Sequence, residues 1–215
     1  MCIWCADIAT AVSFGATFAA KPTVGAFQEL IHCLSYLQCT SDIGLVLHVG
    51  DSSNALTLRC YVDASYLTHR DSKSHSGYCM SFGTIGTFYS KSSKQSIVAT
   101  LSTHAELRAL YSLVIDIIYV IHLCDELGRP ISLPAIILED NQPAIQLSDC
   151  LSSRTKHSKH FLMLVNYIRE QVHHGYIKLV KVPTEDNIVD ILTKVVVGAE
   201  FRKKADAILG HGDNM

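Results

Sequence analysis

The sequence predicts an α/β chain: a mixed sheet with helices packed on its faces. Two observations lead there. Strand-like stretches follow one another without a helix between residues 56 and 90, as in an antiparallel meander. Beyond them, helices and strands alternate, as parallel crossovers require.

The elements read in order as follows. Residues 1–50 are mostly helical, with Ala26, Leu30, Leu34 and Leu37 forming a stripe after Pro22. This segment is too short for a domain, and it runs out near Gly50, where Asp51-Ser52-Ser53-Asn54 signals a turn. Leu56, Leu58, Cys60 and Val62 then alternate with Thr57, Arg59, Tyr61 and Asp63, which is the period of a half-buried strand. Residues 76–83 and 85–90 read as two further strands joined through Gly83. Thr103 to Leu127 is the clearest helix. It is opened by a capping-box pattern, Thr103-x-x-Glu106, and stopped by Gly128 and Pro130. Ile136 to Leu138 reads as a short buried strand ending at Glu139-Asp140, and Gln142 to Leu147 as a short helix. Residues 160–173 form another helix, Tyr176 to Val182 a strand, and Asp186 to Lys194 a last helix with a polar cap.

Composition narrows the function classes. The 215 residues are 48% hydrophobic and 18% charged, enough to bury a core and too apolar for a disordered chain. The formal net charge of -2 argues mildly against a nucleic-acid binder, but positive charge is concentrated. Arg154, Lys156, His157, Lys159 and His160 share one short segment, and Arg202, Lys203 and Lys204 another. The 8 cysteines are mostly isolated among apolar residues. With no secretory leader in view, free thiols and an intracellular setting are expected. Cys2 and Cys5 make one CxxC without a second ligand pair, so they read as terminal thiols rather than a zinc site. No membrane span is expected, because Asp116 interrupts the best apolar run, Leu113 to Ile121.

Four acids fall at informative places. Asp63 interrupts the first strand, Glu106 sits in the first turn of the long helix, Asp140 ends the fourth strand, and Asp190 lies on the last helix. First and fourth strands of a mixed sheet can be neighbours, which would let Asp63 and Asp140 converge. Glu106 shares a helix face with Leu110, Leu113 and Ile117, and a carboxylate on a buried face is costly unless paired or bound to metal. Hard oxygen ligands suit magnesium or manganese. The plainer readings are a helix-dipole acid for Glu106 and a surface acid for Asp190. Asp63 is harder to dismiss, since Asp is depleted in strands.

At these residues the chain resembles the RNase H domain of copia-type retrotransposon polyproteins. Tyr61-Val62-Asp63-Ala64-Ser65 is similar to that family's SDAD strand, and Ser76-Gly77-Tyr78 to its TSGY. The stretch SKSSKQSIVATLSTHAEL, Ser90 to Leu107, resembles SSKKQ…VALSSTEAEY. Glu139-Asp140-Asn141-Gln142-Pro143-Ala144-Ile145 resembles CDNQSAI, and Ser158-Lys159-His160 resembles TKH. Val182 to Asn187 and Asp190 to Lys194 are similar to VPTEDQLADILTK. The resemblance implies an RNase H-like mixed five-stranded sheet flanked by helices and preceded by a short helical segment. It implies an endonuclease that hydrolyses the RNA strand of RNA–DNA hybrids. Asp63, Glu106, Asp140 and Asp190 would be catalytic and would hold two Mg2+ ions, with Mn2+ as a substitute. Asn141, Arg154, Lys156, Lys159 and His160 are candidate nucleic-acid contacts.

Asp7 to Ser13, DIATAVS, resembles PDIAFAVS near the end of the same family's reverse transcriptase. The resemblance therefore divides the chain into a helical C-terminal remnant of reverse transcriptase at 1–50, an RNase H-like domain at 55–195, and a C-terminal helix and tail at 196–215. The expected partners are an RNA–DNA hybrid and the missing upstream reverse transcriptase portion, with no membrane. No YVDD motif occurs, so no polymerase activity is expected. Without its upstream partner, the 1–50 segment is expected to pack loosely. Ser65 stands where relatives carry an acid, and His104 stands where they carry a glutamate; His104 reads as a solvated surface residue. The competing reading is a catalytically inactive retrotransposon remnant that at most binds nucleic acid.

Overall fold

The computed structural model describes residues 5–47, 56–83, 86–149 and 159–211. Its centre is one five-stranded sheet. The strands are β1 (Leu56–Ser65), β2 (His75–Phe82), β3 (Tyr89–Lys94), β4 (Ile131–Glu139) and β5 (Ile177–Lys181), in the spatial order β3-β2-β1-β4-β5. The first three pair antiparallel, while β4 pairs parallel with β1 and with β5. This is the mixed, helix-flanked five-stranded sheet expected from the sequence.

The helices are α1 (Ala9–Ala16), α2 (Val24–Cys39), α3 (Ser102–Glu126), α4 (Gln142–Asp149), α5 (Lys159–His173) and α6 (Gly198–Leu209). Because side chains alternate across a strand, β1 feeds two cores. Leu58, Cys60, Val62 and Ala64 face α3 and the main core, which α5 completes through Phe161, Val165 and Ile168. Tyr61 faces the other side, where Ile188, Val189, Ile191 and Leu192 pack with Ala205, Ala207 and Ile208 of α6.

Several boundaries differ from expectation, each for a local reason. The third strand is Tyr89–Lys94 rather than 85–90. Its run of serines and lysines lacks apolar alternation, which an edge strand tolerates. The fourth is longer than its apolar run, starting at Ile131. Pro134 lies where its register with β1 shifts between Thr57 and Arg59, the kind of irregularity that admits proline. The capping box does not form: α3 starts at Ser102 after Leu101, with no side-chain cap. Glu106 turns instead into the protein. Residues 186–194 are not an α-helix but two 3-10 turns, Thr184–Asp186 and Ile188–Leu192. Between them Asn187 is fully buried and donates to the Val62 carbonyl at 3.0 Å.

By length and composition alone α3 is apolar enough to cross a membrane, although Asp116 interrupts its apolar stretch. One face is buried in the main core, from Ala105 to Cys124. Asp116 accepts hydrogen bonds from Tyr78 at 2.6 Å and Tyr89 at 3.1 Å. The acid that breaks the apolar run is thus a ligand for two sheet tyrosines.

The N-terminal segment is docked in part. The ring of Phe14 stacks on His69, 4.5 Å between centroids, and tilts against His75 at 4.7 Å. Thr10 donates to the Ile191 carbonyl. The Val46 amide donates to the Leu209 carbonyl at 2.8 Å. A Cβ on Gly86 or Gly210 would strike the Val46 carbonyl at 2.1 or 1.9 Å, so both glycines are needed for that close passage. α2 is different. None of its residues is buried, and Val24, Phe27, Leu30, Ile31 and Leu34 are exposed. It is held through Tyr36, which donates to Asp7 at 2.6 Å and meets Phe201 edge-on. The turn expected at residues 51–54 lies outside the described residues.

Two predictions follow from this packing. With no buried face, α2 opens with little loss of apolar contact. Its amides should exchange with deuterium orders of magnitude faster than those of Ala105–Ile121 in α3. Equal protection would mean that α2 is covered in solution. The second concerns His75, whose ring bonds His69 at 2.9 Å and Ser92 at 2.7 Å. Burial, and then His69, push its pKa down to about 4. In the unfolded chain a histidine takes up its proton near 6.5. Between those values the unfolded state binds the extra proton, so stability is full above about pH 6.5 and is lost as pH falls towards 4. The fall in Tm over that window should be smaller in His75→Gln; parallel curves would show that His75 does not contribute.

Candidate metal centre

The parallel pairing of β1 with β4 matches Tyr61 to Leu138. Two residues on, at the carboxyl ends of both strands, stand Asp63 and Asp140. Glu106, in the second turn of α3, reaches the same point. One carboxylate oxygen from each of the three lies within 4.8 Å of the other two. Asp63 and Glu106 are only 5% and 6% exposed, and Asp140 is half-buried.

These carboxylates strain against their surroundings. Burial raises the pKa of Asp63, opposed by the Thr193 hydroxyl and the charge of Lys194. Burial also raises Glu106, reinforced by the charges of Glu139, Asp63 and Asp140. Glu106 Oε2 is buried with no hydrogen-bond partner, in a place where an unmet acceptor is costly. The donor set suits a hard divalent cation. Two oxygens on one magnesium ion lie about 3 to 4 Å apart, so a group spanning 4.8 Å need close only slightly to share one ion.

Asp190 does not join the three. It is 2% exposed, and its Oδ2 takes the ammonium of Lys204 from α6. Lys194 reaches its Oδ1 at 2.6 Å. Thr193, three residues on, donates to Asp63. That contact depends on Gly77, which pairs with Asp63 across β1 and β2. A Cβ at residue 77 would meet Thr193 Cγ2 at 2.6 Å and Leu192 Cβ at 2.8 Å, closer than packed atoms tolerate. The glycine of the Ser76-Gly77-Tyr78 motif thus lets the Ile188–Leu192 turn lie against the sheet.

Of the candidate nucleic-acid contacts, Asn141 caps α4, accepting from the Ala144 amide at 3.0 Å. Lys159 is exposed at the start of α5, whereas Arg154 and Lys156 lie outside the described residues, as does the side chain of His160. Cys5 is half-buried and Cys2 lies outside the described residues. His104 is not a solvated residue. Its ring lies 4.1 Å from that of Phe161, and it bonds Thr100 at 2.7 Å.

Sequence reasoning missed Glu139 and Lys204. Glu139 is fully buried. One oxygen accepts from the Asn141 amide at 3.0 Å, and Oε2 has no partner. Burial raises its pKa, with Asp140 and Asp63 adding to the effect. The available signal was the departure from CDNQSAI, in which an apolar position becomes glutamate.

Curated relatives align along almost the whole chain. The retrovirus-related Pol polyprotein from transposon RE1 of Arabidopsis thaliana is 33% identical over 205 residues, covering 94% of this chain and 14% of that polyprotein. The corresponding polyprotein from transposon TNT 1-94 of Nicotiana tabacum is 32% identical, covering 96% of this chain and 15% of its own length. The chain aligns almost throughout with one stretch of retrovirus-related Pol polyproteins from copia-type transposons. It spans about one seventh of those relatives and corresponds to one segment of such a Pol polyprotein. The 6% left uncovered by the first relative, about 13 residues, is too little to leave out α2. No protein-family model matches the chain. Among solved structures, an RNase H1 isolated from compost superposes with a TM-score of 0.48 at 15% identity, covering 64% of this chain and 92% of that one. The N-terminal RNase H domain of a Mycobacterium tuberculosis protein gives 0.46 at 14% identity, covering 65% and 91%.

For this Pol segment, Glu139→Gln tests the strain directly. The amide cannot ionise, so it removes the cost of holding a carboxyl raised by burial next to Asp140, and it can still accept from Asn141. Tm of the metal-free protein at neutral to alkaline pH should rise by about 2–4 °C, the shift expected for roughly 1 kcal/mol in a chain of this size. A lower Tm would show that the Glu139 carboxylate is satisfied by a partner.

Proposed function

We propose that this Pol segment is a metal-dependent endonuclease that hydrolyses the RNA strand of RNA–DNA hybrids. The observation that carries the reading is the convergence of Asp63, Glu106 and Asp140 at the ends of β1, β4 and the first turns of α3. The motif series and the kinship with retrovirus-related Pol polyproteins supply the substrate class. The N-terminal 1–50 segment is then the C-terminal end of the reverse transcriptase. The upstream remainder of that polymerase is its partner, and the RNase H-like domain runs from 55 to 195.

In this reading Asp63, Glu106 and Asp140 hold a divalent cation, magnesium by the hardness of the donors and manganese as its substitute. Such a cation lowers the pKa of water and offsets charge on a phosphate undergoing attack. The chain's own groups prepare that site. Asp63 and Asp140 stand on neighbouring strands, so the sheet fixes their separation before any ligand arrives. Thr193 donates to Asp63 Oδ2 and so fixes the orientation of that carboxylate. Glu106 presents an unpartnered oxygen from the buried face of α3. Lys194, half-exposed beside Asp190, places positive charge at the rim where a phosphate backbone would approach. Selectivity for the hybrid would come from 2′-hydroxyls and duplex shape read across the minor groove.

The test is cleavage of an end-labelled RNA–DNA hybrid with and without millimolar magnesium. The RNA strand should be cut only with the metal. Asp140→Asn keeps the shape and removes one charge from a ligand. Its rate should fall by at least about 100-fold, the upper end of what losing a metal-site partner costs, while its circular dichroism stays unchanged. An intact hybrid under folded wild type would leave the inactive remnant as the better reading. Equal cutting by Asp140→Asn would refute the assignment of the site.

A further inference from the structure

Lys204 is among the largest fully buried side chains of the protein, at 2% exposure. A buried ammonium is costly unless it is paired and hydrogen-bonded. Here both conditions are met by acids. Its Nζ donates to Asp190 Oδ2, and Glu200, one turn earlier on α6, approaches at 3.2 Å. Lys194 closes the other side of Asp190 at 2.6 Å. Both oxygens of Asp190 therefore lie beside a positive charge, Oδ2 hydrogen-bonded to Lys204 and Oδ1 held by the Lys194 ion pair without a hydrogen bond of its own. The three other acids present the opposite picture: three carboxylates in mutual repulsion, with an orphaned buried oxygen on Glu106.

The backbone does not allow Lys204 to leave easily. α6 is clamped to the Ile188–Leu192 turn through Ala205, Ala207 and Ile208, and its C-terminal end is tied to residues 46, 86 and 87 by backbone hydrogen bonds. A divalent ion at ligand distance from Asp190, about 2.1 Å, would sit within a few ångströms of the ammonium. It would have to expel a buried lysine whose other partner, Glu200, is an exposed acid.

We propose that Lys204 is the resident counter-cation of Asp190, and that this chain therefore takes one divalent cation, at Asp63, Glu106 and Asp140, rather than two. Lys204 is a positioning residue in this scheme: it holds Asp190 beside the centre and out of its ligand set. The inference rests on the metal-site reading above, and the experiment separates the two.

Bound Mn2+ is counted at saturation from the electron paramagnetic resonance signal of the free ion. The count is made on the whole chain, alone and with a 2′-O-methyl RNA–DNA hybrid after subtraction of the duplex background. Wild type should bind one ion. Lys204→Met, which frees Asp190, should bind two, and the neutral pair Asp190→Asn/Lys204→Met should return to one with wild-type affinity. Two ions on wild type with one lost in the double variant would overturn the proposal. So would a folded Lys204→Met that stays at one. If Lys204→Met does not fold, the comparison of wild type with the double variant decides: equal counts of one support the proposal, and a drop from two to one refutes it. A folded wild type that binds no ion would instead sink the metal-site reading itself, and this proposal with it.

Discussion

The parallel pairing of β1 and β4 at the centre of the sheet is the constraint on which the rest depends. It aligns two strand ends that are far apart in sequence, and so sets Asp63 beside Asp140. A parallel pair needs a long crossover, and α3 supplies much of it. That crossover returns across the face of β1, so the first turns of α3 pass the same strand ends. Glu106 is delivered there by the connection itself. The antiparallel β2 and β3 then complete the other side, where Gly77 lets the Ile188–Leu192 turn close over Asp63. Burying three like charges together is costly: burial first, and then the neighbouring carboxylates, raise the carboxyl groups of Asp63 and Glu106. The remainder of the fold must be stable enough to hold them.

The chain ends are bound into this plan unequally. α1 and the 43–47 stretch are attached to the sheet and to α6 through Phe14, Thr10 and Val46. α2 contributes no buried residue and presents apolar side chains outward. An amphipathic helix gains most of its stability from burying its apolar face. Its stripe of Ala26, Leu30, Leu34 and Leu37 was evident in the sequence, but what covers a stripe is not. The same sequence pattern serves equally for a face turned inward and for one turned toward a partner.

Elements whose identity rests on periodicity were readable from sequence. β1 alternates cleanly, and α3 carries a long apolar face that ends at a glycine. The three converging acids were readable because each lies at the end or start of such an element. Features set by tertiary contact were not. β3 is almost entirely polar, and only its neighbour makes it a strand. The Thr103–Glu106 pair has the spacing of a cap, yet Glu106 is drawn inward toward the strand ends. Residues 188–192 have helical composition, but Gly77 brings the chain too close to the sheet for a full α-helix to be the simplest solution. His104 has the character of a surface residue in isolation, and it is Phe161 on a distant helix that covers it.

Charge at the centre explains the two residues that reading by motif overlooked. Five carboxyl groups crowd one end of the sheet: Asp63, Glu106, Glu139, Asp140 and Asp190. Among the described residues two lysines answer them: Lys204 and Lys194 both pair with Asp190, and the charge of Lys194 also reaches Asp63. The charge is therefore divided rather than averaged. Asp190 is neutralised within the protein, while the other four are left to share protons or an incoming cation. Glu139 sharpens this division. It lies below the ligands, fully buried, with one oxygen on a backbone amide and the other unmet. A cation at Asp140 would relieve Glu139 without touching it, because the repulsion that raises its carboxyl comes in part from Asp140 and Asp63. Metal affinity and stability are then linked through a residue outside the ligand set. Whatever binds at Asp63, Glu106 and Asp140 stabilises the folded chain by more than its direct contacts, since it also removes a strain the empty arrangement must carry.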